Sequence, residues 1–360
     1  MAQLLDQIEW GQALLPRVAN PSWEAEVKRR AGTVSEIDRR VAPSPWVREL
    51  CVATTSYRPV AISQRLYNIG SLVTAQENSC RYCYGANRAY MKILGYSESF
   101  IKHIEQDATF AELDDKERAF IAFCRSLARS RPRPVKADYD ALVALGFAPL
   151  AVSEMAMMIA LGCFFNRIGI LIACPPEHGF ERVANSLLGR VMGPVMRVAM
   201  SMHKPPQPVM LDAATLAAGP FGTIVAALAG LPGASIFRAG LDGAFASTVL
   251  PRSAKALMFA VVARTLGCRI SEAEARKLLA VENFSDEEID AALLTLRTPR
   301  LSQRDAQLLP WVRNTVYYQT AAVQKQTAAL AVEIGEAALL EAVGVAALAN
   351  ATVRLAMLLE

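Results

Sequence analysis

The chain has 360 residues, 53% hydrophobic and 20% charged, a composition that excludes a disordered or fibrous protein and suits two helical domains of average size. Its 38 basic and 34 acidic residues leave a net charge of +4, too small and too dispersed to mark a nucleic-acid-binding surface. Seven cysteines without regular spacing argue against a secreted disulfide framework. The opening MAQLLDQIEW carries acidic residues where a signal peptide would be basic, so a cytoplasmic protein is expected.

From Trp10 to Arg40 the apolar spacing is helical but interrupted at Pro16, Pro21 and Gly32, which predicts short helices. Pro43 and Pro45 lead into a helix over Trp46 to Ser56, and a longer one runs from Ala61 to Ala75. After Gly95, Ser97 is placed to cap a helix over Glu98 to Gln106. Asp114 and Glu117 form a capping-box pattern opening Lys116 to Ala128. A short helix over Asp138 to Leu145 closes at Gly146, and Leu150 to Ile172 is a long, nearly all-apolar helix expected in the core rather than in a membrane. Ala213 to Phe237, rich in Ala and Gly and carrying Pro220 and Pro232, is also no membrane span. No stretch alternates with period two, so the expected fold is all-α. The boundaries read 1–174 for a first domain, 175–210 for a connecting segment with Pro205, Pro206 and Pro208, and 211–360 for a second domain.

The chemistry-bearing stretch is Glu77-Asn78-Ser79-Cys80-Arg81-Tyr82-Cys83-Tyr84-Gly85-Ala86-Asn87-Arg88, which holds the chain's one C-x-x-C. On a helix two thiols at this spacing project to one side, one turn apart, and can interconvert between dithiol and disulfide. A helix beginning near Cys80 would also favour thiolate through the positive end of its dipole. Zinc would need two further ligands, and His103, His178 and His203 are scattered, so neither a metal nor another cofactor is expected. Cys51, Cys124, Cys163 and Cys174 lie in apolar surroundings and are expected to be structural.

Shifting the chain by 188 residues brings Cys80 onto Cys268, Ser97 onto Ser285, Leu113 onto Leu301 and Glu117 onto Asp305. One further residue of shift brings Gly146 onto Gly335 and Leu150 onto Leu339. A register held across several helix starts points to tandem copies of one helical domain. In the second copy Cys83 falls on Ser271 and Asn87 on Ala275, so that copy is expected to be degenerate.

Cys80-Arg81-Tyr82-Cys83 followed by Leu94-Gly95-Tyr96-Ser97 and Leu113-Asp114-Asp115-Lys116-Glu117-Arg118-Ala119 resembles the alkylhydroperoxidase D-like (AhpD-like, carboxymuconolactone decarboxylase) superfamily. Leu145-Gly146-Phe147 before a helix ending Phe164-Phe165-Asn166-Arg167-Ile168 is similar to its peroxidase-related branch. The likeness covers roughly Ala42 to Ile172, and more weakly the chain from Leu250 onward. It implies an all-α, trimeric or hexameric fold in which the second cysteine, here Cys83, attacks a hydroperoxide and the first, Cys80, resolves it. A duplicated chain would then form a homo-trimer with hexamer-like symmetry.

The resemblance also implies a histidine four residues after the second cysteine and a glutamate on the preceding helix; here those positions hold Asn87 and Asn68. Asparagine cannot exchange a proton near neutral pH, so the usual relay is absent, and Glu77 is the candidate substitute base. Tyr82, Tyr84, Asn87, Arg88 and Arg167 are the candidate substrate-binding residues. The expected function is a thiol-dependent oxidoreductase acting on a hydroperoxide or disulfide, recharged by an external reductant, with a protein among the candidates. The alternatives are decarboxylase-like proton chemistry on a small organic acid, or a non-catalytic assembly protein. No nucleic acid or membrane partner is expected.

Overall fold

The computed structural model describes residues 3–106, 112–186, 193–198, 202–203, 205–317 and 319–360. Among the described residues there is no strand, and the fold is all-α. The first half contains α1 (Pro21–Ala31), α2 (Glu36–Val41), α3 (Pro45–Ser56), α4 (Gln64–Glu77), α5 (Arg81–Ile93), α6 (Glu98–Gln106), α7 (Asp115–Arg129), α8 (Lys136–Ala144), α9 (Pro149–Leu171) and α10 (His178–Asn185). The second half adds α11 (Ala213–Ala217), α12 (Gly222–Ala226), α13 (Ala234–Ala246), α14 (Arg252–Leu266), α15 (Arg269–Val281), α16 (Asp286–Thr295), α17 (Gln303–Ala306), α18 (Leu308–Asn314), α19 (Thr320–Ile334) and α20 (Glu336–Met357).

The helix starts follow their caps. Ser97 Oγ accepts the Phe100 N–H, Asp114 and Glu117 close a capping box on α7, and Ser285 and Glu288 do the same on α16. Gly95 and Gly146, with φ of 93° each, sit in the left-handed region where glycine is favoured and stop α5 and α8.

Two stretches depart from expectation. Residues 8–20 form no helix, because their backbone and side chains are bonded to distant elements instead. Leu14 N–H donates to the Ile172 carbonyl, Gly11 N–H to Gln324 Oε1 and Trp10 Nε1 to the Cys174 carbonyl. The segment expected only to connect two domains contains α10, whose Glu181 forms a two-pronged ion pair with Arg81 at 2.8 and 3.0 Å.

The main apolar core extends from Ile8 to Leu358 and takes side chains from both halves. At its centre α9 packs on α20. Both helices are long and apolar enough to cross a membrane by length and composition, yet 89% and 100% of their most apolar windows are buried inside the protein. A carboxylate and a guanidinium are buried on each, and a buried charge is tolerated only when hydrogen-bonded on most sides.

Glu154 accepts the Tyr57 hydroxyl at 2.5 Å and the N–H groups of Val60, Ala61 and Ile62 at 2.8, 2.6 and 2.9 Å, which pins the α3–α4 connection to α9. On α20, Glu341 accepts Trp46 Nε1 at 2.7 Å and faces Lys255 Nζ at 3.4 Å. Arg167 donates to the Thr315 and Val316 carbonyls at 3.1 and 3.2 Å. Arg354 reaches the same Val316 carbonyl at 3.4 Å and the Ala128 carbonyl at 3.2 Å.

Replacing Glu154 with Gln leaves one acceptor oxygen for four donors and turns an NH2 group toward backbone N–H groups. The expected loss is about 3 kcal/mol of unfolding free energy. Chemical denaturation followed by tryptophan fluorescence measures it, and a midpoint equal to wild type would contradict the anchoring role.

Candidate functional site

The turn between α4 and α5 sets the site. Ser79 takes a left-handed conformation (φ 51°), its carbonyl accepts the Thr320 hydroxyl at 3.1 Å, and the buried Asn78 lies 3.6 Å from Cys163 Sγ. The chain then re-enters helix with Cys80 as the N-cap of α5, its Sγ accepting the Cys83 N–H at 3.3 Å. Both sulfurs point at one spot on α9. A methyl group placed on Gly169 would lie 3.3 Å from Cys80 Sγ, 3.6 Å from Cys83 Sγ and 3.6 Å from Ile37 Cδ1. The absence of a side chain at Gly169 is what gives the thiol pair its room.

Both thiols are buried and free. The helix does begin at the first cysteine, but the expected gain in acidity does not follow at Cys83. Burial pushes the Cys83 thiol well above its ordinary range, with the neighbouring thiols of Cys80, Cys174 and Cys51 adding to the rise. A helix N-terminus is worth about 0.3–1 kcal/mol to an anion, whereas full burial of an ionisable group shifts it by several pKa units. Desolvation wins.

The other candidate residues separate into distinct environments. Tyr82 stays on the covered side, its hydroxyl donating to Glu177 at 3.3 Å near α10. Asn87 donates from Nδ2 to the Cys83 carbonyl at 2.9 Å and is held by its own helix. Asn68 accepts from Gln64 Nε2 at 3.0 Å. Arg167, expected to bind substrate, is spent on the Thr315 and Val316 carbonyls, which is a structural use of its charge.

Tyr84 and Arg88, four residues apart on α5, both turn to Glu105 on α6: Tyr84 through a side-chain hydrogen bond and Arg88 Nε at 2.9 Å. Arg88 also pairs with Glu98. Glu77 faces α7, paired with Arg129 at 2.6 Å and Arg125 at 3.6 Å, while the sulfurs face α9. Its expected service as a base to Cys83 finds no support in that geometry.

Glu77 lines a cleft of about 290 Å³ together with Gln76, Glu105, Arg125, Arg129 and Arg131. Burial raises the Glu77 carboxyl above its ordinary range despite Arg129 and Arg125, which pull it down. Burial raises Glu105 in the same way, against the pull of Arg88. The arginines of this cleft were not singled out in the sequence, although Arg125 and Arg129 stand four apart and so share a face of α7. Another cleft, about 590 Å³, lies in the second half between Leu296, Thr298, Leu301 and Pro310. Among the described residues no group of three or more His, Cys, Asp or Glu side chains could hold a metal ion.

Neither a protein-family model nor a curated protein matches the chain. A solved structure described as an alkylhydroperoxidase AhpD core, an uncharacterized peroxidase-related protein from Ralstonia eutropha JMP134, is similar. The match has 21% identity and a TM-score of 0.40, and it covers 46% of this chain and 87% of that one.

Two outcomes follow. Iodoacetamide should label Cys83 in the native protein roughly 100-fold more slowly than a free thiol, with normal labelling in denaturant; peptide mass spectrometry reads both. For Glu77 the sign is set by its raised folded-state pKa. The folded state binds the proton more tightly, so stability attributable to this group is fully present below the unfolded value of 4.5 and is lost as pH rises through the folded value. The stability of wild type relative to Glu77→Gln should therefore improve as pH falls from 7 toward 5, measured by parallel denaturation curves.

Proposed function

We propose that this chain is a thiol-dependent oxidoreductase of the alkylhydroperoxidase type that works through Cys80 and Cys83. The observation that carries the reading is the convergence of both sulfurs on Gly169, with Cys80 Sγ already bonded to the Cys83 N–H. In the reaction the Cys83 thiolate attacks the outer oxygen of a hydroperoxide, forming a sulfenic acid while the alkoxide leaves and takes up a proton. The Cys80 thiolate then attacks the Cys83 sulfur, the S–O bond breaks, hydroxide leaves and is protonated to water, and a disulfide closes. Two electrons have passed from two thiols to the peroxide, and an external dithiol returns them by exchange.

Burial of Cys83 and the engagement of Asn87 with its own helix both favour slow chemistry, and a small peroxide over a bulky one. Both sulfurs are buried against Gly169 of α9 and Ile37 of α2, so access requires local opening of that packing.

A tandem origin fits the same reading. Cys80 and Cys268 occupy the N-cap positions of α5 and α15, while Glu154 and Arg167 on α9 have buried counterparts in Glu341 and Arg354 on α20. Cys268 has Ser271 where Cys80 has Cys83, with Cys268 Sγ 3.4 Å from the Ser271 hydroxyl, so the second copy carries no dithiol. In that view the second half serves to complete the core and to present interfaces in a homo-oligomer.

One equivalent of hydrogen peroxide should remove two thiols from wild type, detected by thiol titration and by a Cys80–Cys83 disulfide in peptide mapping. Cys80→Ser should stop at a sulfenic acid, and Cys83→Ser should abolish the peroxide-dependent loss of thiols. Asn87→His, which supplies a titratable group on the same face, should raise the rate of peroxide consumption at least ~10-fold. Unchanged thiol content in wild type under excess peroxide would defeat the reading.

A further inference from the structure

We propose that the cleft between α4, α6 and α7 is a binding site for a small dianionic oxyacid, held by Arg125, Arg129 and Arg131. The site is separate from the dithiol, which faces α9, and the inference stands whether or not the dithiol cycles.

The charge balance carries it. Three guanidiniums line the cleft, and the carboxylate they share is Glu77, which pairs with Arg129 and Arg125. The other carboxylate there, Glu105, and its neighbour Glu98 are matched by the two cations Arg88 and Lys92. Arg131 has no carboxylate partner among the described residues; its guanidinium lies 3.8 Å over the ring of Tyr317. Three positive charges against one negative leave an excess of two at the mouth of a cavity of about 290 Å³. That excess matches a compact dianion, and planar guanidinium forks suit carboxylate and phosphate oxygens alike.

Unmet hydrogen bonds point the same way. Arg125 donates from Nη2 to the Ile104 carbonyl at 2.8 Å, and its buried Nε, 3.6 Å from Glu77 Oε1, makes no hydrogen bond. Gln76 is almost fully buried and donates from Nε2 to the Glu105 carbonyl at 2.8 Å, leaving its Oε1 unpartnered. Each such group carries a desolvation cost of about 1–3 kcal/mol that a ligand or a water bound with it relieves. The Arg125 Nε supplies a donor for an anion, and Gln76 Oε1 an acceptor for a hydroxyl or a protonated acid oxygen. A ligand with both features, such as a hydroxylated dicarboxylate or a hydrogen phosphate, meets the whole set.

The test is calorimetric titration of the full chain with succinate and, separately, with inorganic phosphate, in a low-chloride buffer. Saturable binding of either anion is expected, weakened ~10-fold or more in Arg131→Met and in Arg129→Met. Arg131→Lys should recover part of the loss. Arg118→Met, on the same helix but outside the cleft lining, and Cys83→Ser should bind as wild type does. Thermal unfolding of Arg131→Met, an exposed position, separates lost binding from lost folding. Preference for succinate assigns a dicarboxylate site and preference for phosphate a phosphate-ester site. Binding no stronger than that of chloride, or undiminished in folded Arg131→Met, would overturn the proposal.

Discussion

The constraint on which the rest depends is the satisfaction of charged groups buried on α9. Glu154 and Arg167 are both almost inaccessible to water, and each is answered by backbone groups from a distant part of the chain: residues 60–62 for the carboxylate and residues 315–316 for the guanidinium. A turn of α9 about its axis by one residue, about 100°, would withdraw both charges from their partners at once. The helix is therefore fixed in rotation as well as position. Gly169, two residues beyond Arg167, is fixed with it, and so is the space into which Cys80 and Cys83 project.

This arrangement gives the thiol pair proximity at the expense of ionisation. The N-cap position brings Cys80 Sγ to 3.3 Å from the Cys83 backbone nitrogen. The same packing against α9, α2 and the adjacent thiols removes the water that a thiolate needs, and burial outweighs the helix dipole at Cys83.

Helix α5 divides its chemistry between faces. Cys80 and Cys83 lie under α9 and Tyr82 meets Glu177 at the entry to α10, whereas Tyr84 and Arg88 meet Glu105 toward the arginine-lined cleft. Residues adjacent in sequence are turned about 100° apart on a helix, so a run of polar and reactive side chains is distributed over several environments. The opposite side of the α4–α5 corner thus holds an unbalanced set of positive charges that owes nothing to the cysteines.

The sequence by itself determined the helical class, most helix starts and the identity of the core helix. Those depend on local hydrogen bonds and on the spacing of apolar residues, as at Ser97, Asp114, Ser285 and the stretch now seen as α9. It also placed the two cysteines on one side of a helix, because their separation alone fixes that. Only the tertiary structure decided that Arg167 would serve carbonyls from the other half of the chain, that Glu77 would turn to α7, and that a helix would form in the supposed linker over α5. Those outcomes rest on partners a hundred or more residues away, or on a neighbouring helix whose orientation no local pattern records. The accessibility of Cys83 belongs with them, since desolvation is a property of everything packed around a group.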